Sequence, residues 1–141
     1  MKERLVITGM GAVTPIGIGV ETYWNNLIAG KCGVERITRF DPKESPVKIA
    51  AQVKNFNPDD FMTKKQSREM DLFMQYGYAA GEEALADGGI KEDTIPADRM
   101  GVVVGTAMAG VSIIAETQDG LSTGEHKKVS PRFVPKFIGN I

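Results

Sequence analysis

Four helical turns near the middle of the chain constrain it most. Met70, Phe73, Met74, Gly77, Gly81, Ala84 and Leu85 recur at spacings of three and four residues. That period places them on one face of a helix. The pattern predicts a single helix from about 64 to 87, stopped by Gly88-Gly89. Two glycines lie inside it, each less favourable than alanine by about 1 kcal/mol. On one face they let another backbone come close, so the helix is expected inside a larger body.

Short apolar runs flank this helix. Residues 5–8 (LVIT) are apolar and β-branched, and Gly9 closes them. Residues 100–105 (MGVVVG) repeat the pattern. Both read as strands buried on two faces, the kind found in parallel sheets. Ile49, Ala51 and Val53 alternate, which predicts a half-buried strand. Val20, Tyr23, Trp24, Leu27 and Ile28 fall at helical spacing, and Gly30 stands where a helix ends. Residues 31–47 read as irregular, with Pro42 and Pro46. A helix is expected over 107–119, then a polar loop over 120–128. Ser130-Pro131 suits a helix start, and Pro135 keeps that helix short or kinked. The order strand, helix, strand, helix, strand, helix is that of an α/β layered fold.

Length and composition narrow the classes of function. The 141 residues suggest one domain, and 42% hydrophobic with 25% charged residues is ordinary globular composition. A net charge of −1 supplies no field for nucleic acid. With Cys32 alone, neither a disulfide nor a cysteine metal site is possible within one chain, and a reducing cytoplasm is the natural setting. No segment has the roughly 18 apolar residues of a membrane span. Phe133, Val134, Phe137, Ile138 and Ile141 crowd the end of the sequence. Three strands with helices on both faces would leave much of that apolar surface open. The expectation is a truncated or obligately assembled chain, marginally stable alone.

Several motifs could carry chemistry. VITGMGAVTPIG starts like a dinucleotide fingerprint, but Thr14 stands where the third glycine belongs, and Glu35 falls in a loop. A structural turn is the better reading. Cys32 and His126 could form a nucleophile and base. Yet Cys32 follows a helix C-terminus, where the dipole disfavours a thiolate. Lys64, Lys65 and Arg68 lie on the first turns of the long helix, where Lys64 or Lys65 stands next to Arg68 on one face; they suit a phosphate or an acidic helix, the plain alternative being a solvated face. GTAMAG leads from a strand into a helix, and Met108 within it could line an acyl site or fill a core gap.

VITGMGAVTPIG, WNNLIAGKCGVERITRFD, DLFMQYGYAAGEEALADGGI, RMGVVVGTAMAG and VSPRFVPKFIGNI occur in this order. Together they resemble the start of β-ketoacyl-acyl-carrier-protein synthases, type II in particular. The resemblance covers nearly all of residues 1–141. It implies a thiolase-like αβαβα fold, of which this chain would be the first part of the N-terminal half, and a cytoplasmic homodimer. The implied reaction is decarboxylative Claisen condensation in fatty acid biosynthesis. An acyl group on an enzyme cysteine is attacked by the carbanion equivalent of malonyl carrier protein. No metal or nucleotide cofactor is implied, since the phosphopantetheine belongs to the partner, acyl carrier protein.

The nucleophilic cysteine and the two histidines of the family lie beyond the matched motifs, so no catalytic residue is expected here and the chain alone is expected inactive. By the same resemblance Lys64, Lys65 and Arg68 match the carrier-protein docking helix, although the family often has a further basic residue where Glu69 stands. Met108 matches a residue that lines and gates the acyl pocket. Phe133, Val134 and Phe137 match residues reaching across the dimer interface. Ala107 and Ala109 replace glycines common in the family. The rivals are a polyketide ketosynthase or its chain-length factor, a non-catalytic carrier-docking fragment, and a nucleotide-binding domain.

Overall fold

The computed structural model describes residues 4–91 and 94–138. The chain divides into two compact units. The first comprises residues 4–57 and 79–91, the second 58–78 and 94–138.

The first unit opens with an extended segment and then a small hairpin, β1 (Val13–Thr14) against β2 (Gly17–Ile18). Within its turn the Ile16 N–H donates to the Thr14 hydroxyl, which donates to the Gly17 carbonyl. Helix α1 (Val20–Ile28) follows at once. Gly30, at φ 68°, closes it. Its N–H reaches the Leu27 carbonyl and that of Lys31 reaches Asn26, the paired bonds of a Schellman ending. The helix and its glycine stop stand where the sequence puts them.

β3 (Val34–Arg36) pairs antiparallel with β4 (Ile49–Ala51). β3 lies in the stretch expected to be irregular. Its VER sequence has one apolar residue and so no readable period. β4 ends before Val53, and Ile49 is exposed while Ala50 is half-buried, so the apolar side faces outward.

The expected long helix is two helices. α2 (Lys64–Glu69) and α3 (Leu72–Asp87) are separated by Met70, extended at φ −105°, ψ 139°. Local caps cause the break. Thr63 and Gln66 form a reciprocal capping box at the start of α2. At its end the Gln75 side-chain amide donates to the carbonyls of Ser67 and Met70 at 2.9 and 3.2 Å. Asp71 restarts the chain, its carbonyl accepting from Gln75 N and its carboxylate from Leu72 N. Gly88 and Gly89 end α3 as expected.

In the second unit α4 (Val111–Ser122) begins later than expected and runs through Gly120. α5 (Phe133–Phe137) begins two residues past Pro131. The Ser130 hydroxyl accepts from Arg132 N in a turn that precedes the helix rather than capping it. Ile141, part of the apolar C-terminal cluster, lies outside the described residues.

The two runs read as buried strands are not strands. Among the described residues the only ladders are β1–β2 and β3–β4. Leu5 is 96% exposed and Val103 98%. A strand exists only beside another, and neither run has a neighbour in a ladder. Their chemistry remains that of strands covered on both faces. The cores are correspondingly thin. Ile37 and Ala79 are buried in the first unit, Met62 and Ile113 in the second, and among the described residues no large side chain is fully buried.

Candidate functional site

Glycines of the first loop press against α3. A Cβ on Gly11 would stand 1.8 Å from the Ala80 carbonyl oxygen, and one on Gly9 2.2 Å from that of Ala84. Close approach thus exists, but the loop supplies the glycines. Nothing among the described residues lies within 4 Å of a Cβ at Gly77 or Gly81.

That approach brings the carboxylates of α3 to the loop amides. Glu83 accepts from Ala12 N at 2.9 Å and from Val20 N, the first residue of α1, at 2.7 Å. Asp87 accepts from Met10 N at 2.9 Å. Glu83 therefore caps a helix that starts 63 residues away in the chain. In a dinucleotide site such amides face a pyrophosphate. Here carboxylates hold them. The adjoining cleft of about 870 Å3 adds Glu21 to Glu83 and Asp87 among otherwise mostly apolar walls, including Tyr23 and Trp24. Like charge opposes a phosphate at that place, so the glycine-rich turn is structural.

The basic residues lie on the short helix that precedes α3. Lys64, Lys65 and Arg68 are all exposed on α2. Lys64 lies 3.9 Å from Asp59, a contact of little weight between two exposed side chains. No ion pair is seen at Lys65 or Arg68 among the described residues.

Met108 is 72% exposed in the turn before α4. The end of that turn rests on α5. Gly110 is buried, and its N–H donates to the Phe137 carbonyl at 3.4 Å. On α5, Phe133 and Phe137 stack with ring centroids 5.8 Å apart and planes 7° from parallel, and Val134 is exposed beside them. The structure thus ties the turn carrying Met108 to the helix carrying Phe133, Val134 and Phe137. The basic face of α2 is a separate feature of the same unit.

The alternative nucleophile gains nothing from the structure. Cys32 is exposed, and its sulfur accepts from Val34 N at 3.4 Å. His126 lies in an exposed 3-10 turn of the other unit. No group of three His, Cys, Asp or Glu residues among those described could hold a metal.

Sequence reasoning missed Glu83 and Asp87. They stand one helical turn apart, which is visible in the sequence. The amides they meet lie 63 to 77 residues distant, and no local pattern encodes that.

The chain is 41% identical over 140 residues to 3-oxoacyl-[acyl-carrier-protein] synthase 2 of Vibrio cholerae, a match covering 99% of this chain and 34% of the relative. The enzyme of the same name from Staphylococcus aureus is 40% identical over 97% of the chain and 33% of its own length. Among solved structures, a β-ketoacyl synthase from Burkholderia phymatum superposes with a TM-score of 0.78 at 32% identity, covering 94% of this chain and 33% of that one. The ishigamide ketosynthase/chain length factor gives 0.76 at 28%, with the same coverage. The expected thiolase-like ketosynthase fold is thereby shown for the part present, and the chain spans about a third of the relatives it matches. Residues 2–141 match the family described as β-ketoacyl synthase, N-terminal domain, and the chain belongs to that family.

Proposed function

We propose that this chain is the N-terminal part of a 3-oxoacyl-[acyl-carrier-protein] synthase that elongates acyl chains by decarboxylative Claisen condensation in fatty acid biosynthesis. The match to synthase 2 relatives along almost its whole length carries the reading. The exposed runs at 5–8 and 100–105 support the view that residues 1–141 are an incomplete thiolase-like domain.

Three roles follow. Lys64, Lys65 and Arg68 form the docking face for acidic helix residues of acyl carrier protein. Met108 lines and gates the acyl pocket. Phe133, Val134 and Phe137 lie at the interface of a homodimer, where an apolar cluster beside an acyl site is best covered. The carrier brings its own phosphopantetheine, and no metal or nucleotide takes part. The setting is the cytoplasm, in keeping with described helices none of which is long and apolar enough to cross a membrane.

Condensation needs a thiolate nucleophile and groups that stabilise the developing negative charge. Exposed Cys32, bonded to the Val34 backbone, and exposed His126 do not supply that arrangement, so the chain alone transfers nothing. Incubation with radiolabelled acyl carrier protein should leave it unlabelled. Label on Cys32 would overturn this assignment. Docking is tested by titrating the chain with acyl carrier protein. Lys65→Glu with Arg68→Glu should weaken binding by at least about tenfold, as like charges now meet. Unchanged affinity would sink the docking role.

The likeness to the ishigamide ketosynthase/chain length factor favours a second reading, a polyketide ketosynthase or its partner subunit. The closer identity to the synthase 2 relatives ranks it second. Elongation by the full-length protein of saturated acyl chains, rather than of β-keto chains, separates the two.

A further inference from the structure

The surroundings of Gly110 go beyond the roles just assigned. This residue is buried between the end of the Met108 turn and the last turn of α5. A Cβ placed on it would stand 2.6 Å from the Lys136 carbonyl oxygen, 3.0 Å from the Ile113 side chain and 3.1 Å from a carboxylate oxygen of Asp71. The first contact is with backbone, which cannot rotate away as a flexible side chain can. The Gly110 N–H meanwhile donates to the neighbouring carbonyl of Phe137. Its own carbonyl accepts from Ile114 N in the first turn of α4. One residue therefore ties the α4 start to α5, two positions after Met108.

Met108 itself has no such support. It is 72% exposed, and no side-chain cap holds the start of α4. The backbone contact at Gly110, two residues on, ties the Met108 turn to another element. We propose that Gly110 is a positioning residue for acyl chain-length selection: its close packing on Lys136 and Phe137 makes α5 the buttress of the Met108 turn. The inference rests on the reading of Met108 as a wall of the acyl site. A wall set by a backbone lock keeps one depth. Loosening the lock changes which chain lengths fit, because a pocket tuned to a few methylenes discriminates steeply among them.

The test uses the full-length synthase that contains this chain. Elongation is measured with hexanoyl and tetradecanoyl carrier protein for the parent, Gly110→Ala and Met108→Ala. In Gly110→Ala the added methyl displaces the turn from α5. The ratio of kcat/KM for the long and the short substrate should then shift by about tenfold. Equal loss with both substrates, or no change with either, would overturn the proposal, since a merely structural glycine lowers both alike. If Met108→Ala moves the ratio while Gly110→Ala does not, the buttress alone fails. If Met108→Ala also leaves the ratio unmoved, the acyl-wall reading has failed. Should Gly110→Ala not fold, Lys136→Gly keeps the backbone carbonyl but makes the last turn of α5 more flexible, which weakens the buttress from the α5 side. It should shift the ratio in the same direction, and an unchanged ratio there counts against the proposal equally.

Discussion

Two glycine-rich passages lead from an apolar run into a helix, and the structure uses them in opposite ways. In the first, between residues 9 and 19, Gly9 and Gly11 lie against the backbone of α3, and Glu83 and Asp87 take two loop amides and the first amide of α1. In the second, between 105 and 110, Gly110 is pinned against α5, α4 starts without a side-chain cap, and Met108 projects outward. Small residues alone do not distinguish a scaffold from a site. The distinction is whether the protein itself consumes the polar groups and the space that the small residues open. In the first passage it does. In the second a long apolar side chain is left facing out, held only from behind.

This contrast predicts where substitution damages stability. The largest loss is expected at Gly11. Its Cβ position lies 1.8 Å from a backbone oxygen of α3, so Gly11→Ala must push the loop and α3 apart. Overpacking of this kind removes about 3 kcal/mol or more, a large share of the 5–15 kcal/mol typical of a domain. Urea unfolding measures it. A loss under about 1 kcal/mol would mean that the loop does not rest on α3 as described.

Glu83→Ala comes next. It strips the acceptor from two amides at once, in a half-buried place. Hydrogen bonds to a charged group contribute about 1.5–3 kcal/mol each when buried, so the pair should give roughly 2–3 kcal/mol after allowance for water. Glu83→Gln keeps one accepting oxygen and turns its amide group toward the other N–H, so its loss should fall between the two. If Glu83→Ala unfolds at the parent's urea midpoint, water serves those amides equally well and the strap is incidental.

How much of this was legible depended on the range of the interaction. α1 and its Gly30 ending follow from a 3.6-residue period and one glycine, both local, and the structure has them. The division of the long helix was also written locally, in Thr63-Lys-Lys-Gln66 and in Asp71. The unbroken apolar period across Met70 and Phe73 masks those caps in the sequence. Composition predicts strands at 5–8 and 100–105, but it does not tell whether a neighbouring strand pairs with either run. For the proposed site, Lys64, Lys65, Arg68 and Met108 are named from motifs, and the structure adds only that all four are exposed. Glu83, Asp87 and the seat of Gly110 cannot be named so, because each acts on a partner that only folding brings near.

Two smaller effects separate the passages further. Asp87→Ala should remove about 1 kcal/mol, less than Glu83→Ala, because Asp87 holds a single amide and is exposed. Met108→Ala should be smaller still. A side chain 72% exposed buries too little apolar surface for its truncation to register beyond about 0.5 kcal/mol. Ile113→Ala, five residues on and 8% exposed, should lose about 2 kcal/mol or more through the cavity it leaves. The pair makes the comparison sharp within a single turn and helix. If Met108→Ala proves as damaging as Ile113→Ala, Met108 belongs to the core of its unit and cannot also be a free wall for an acyl chain. If it leaves the urea midpoint in place, folding does not need that side chain, and the proposed role of Met108 as an acyl wall stands.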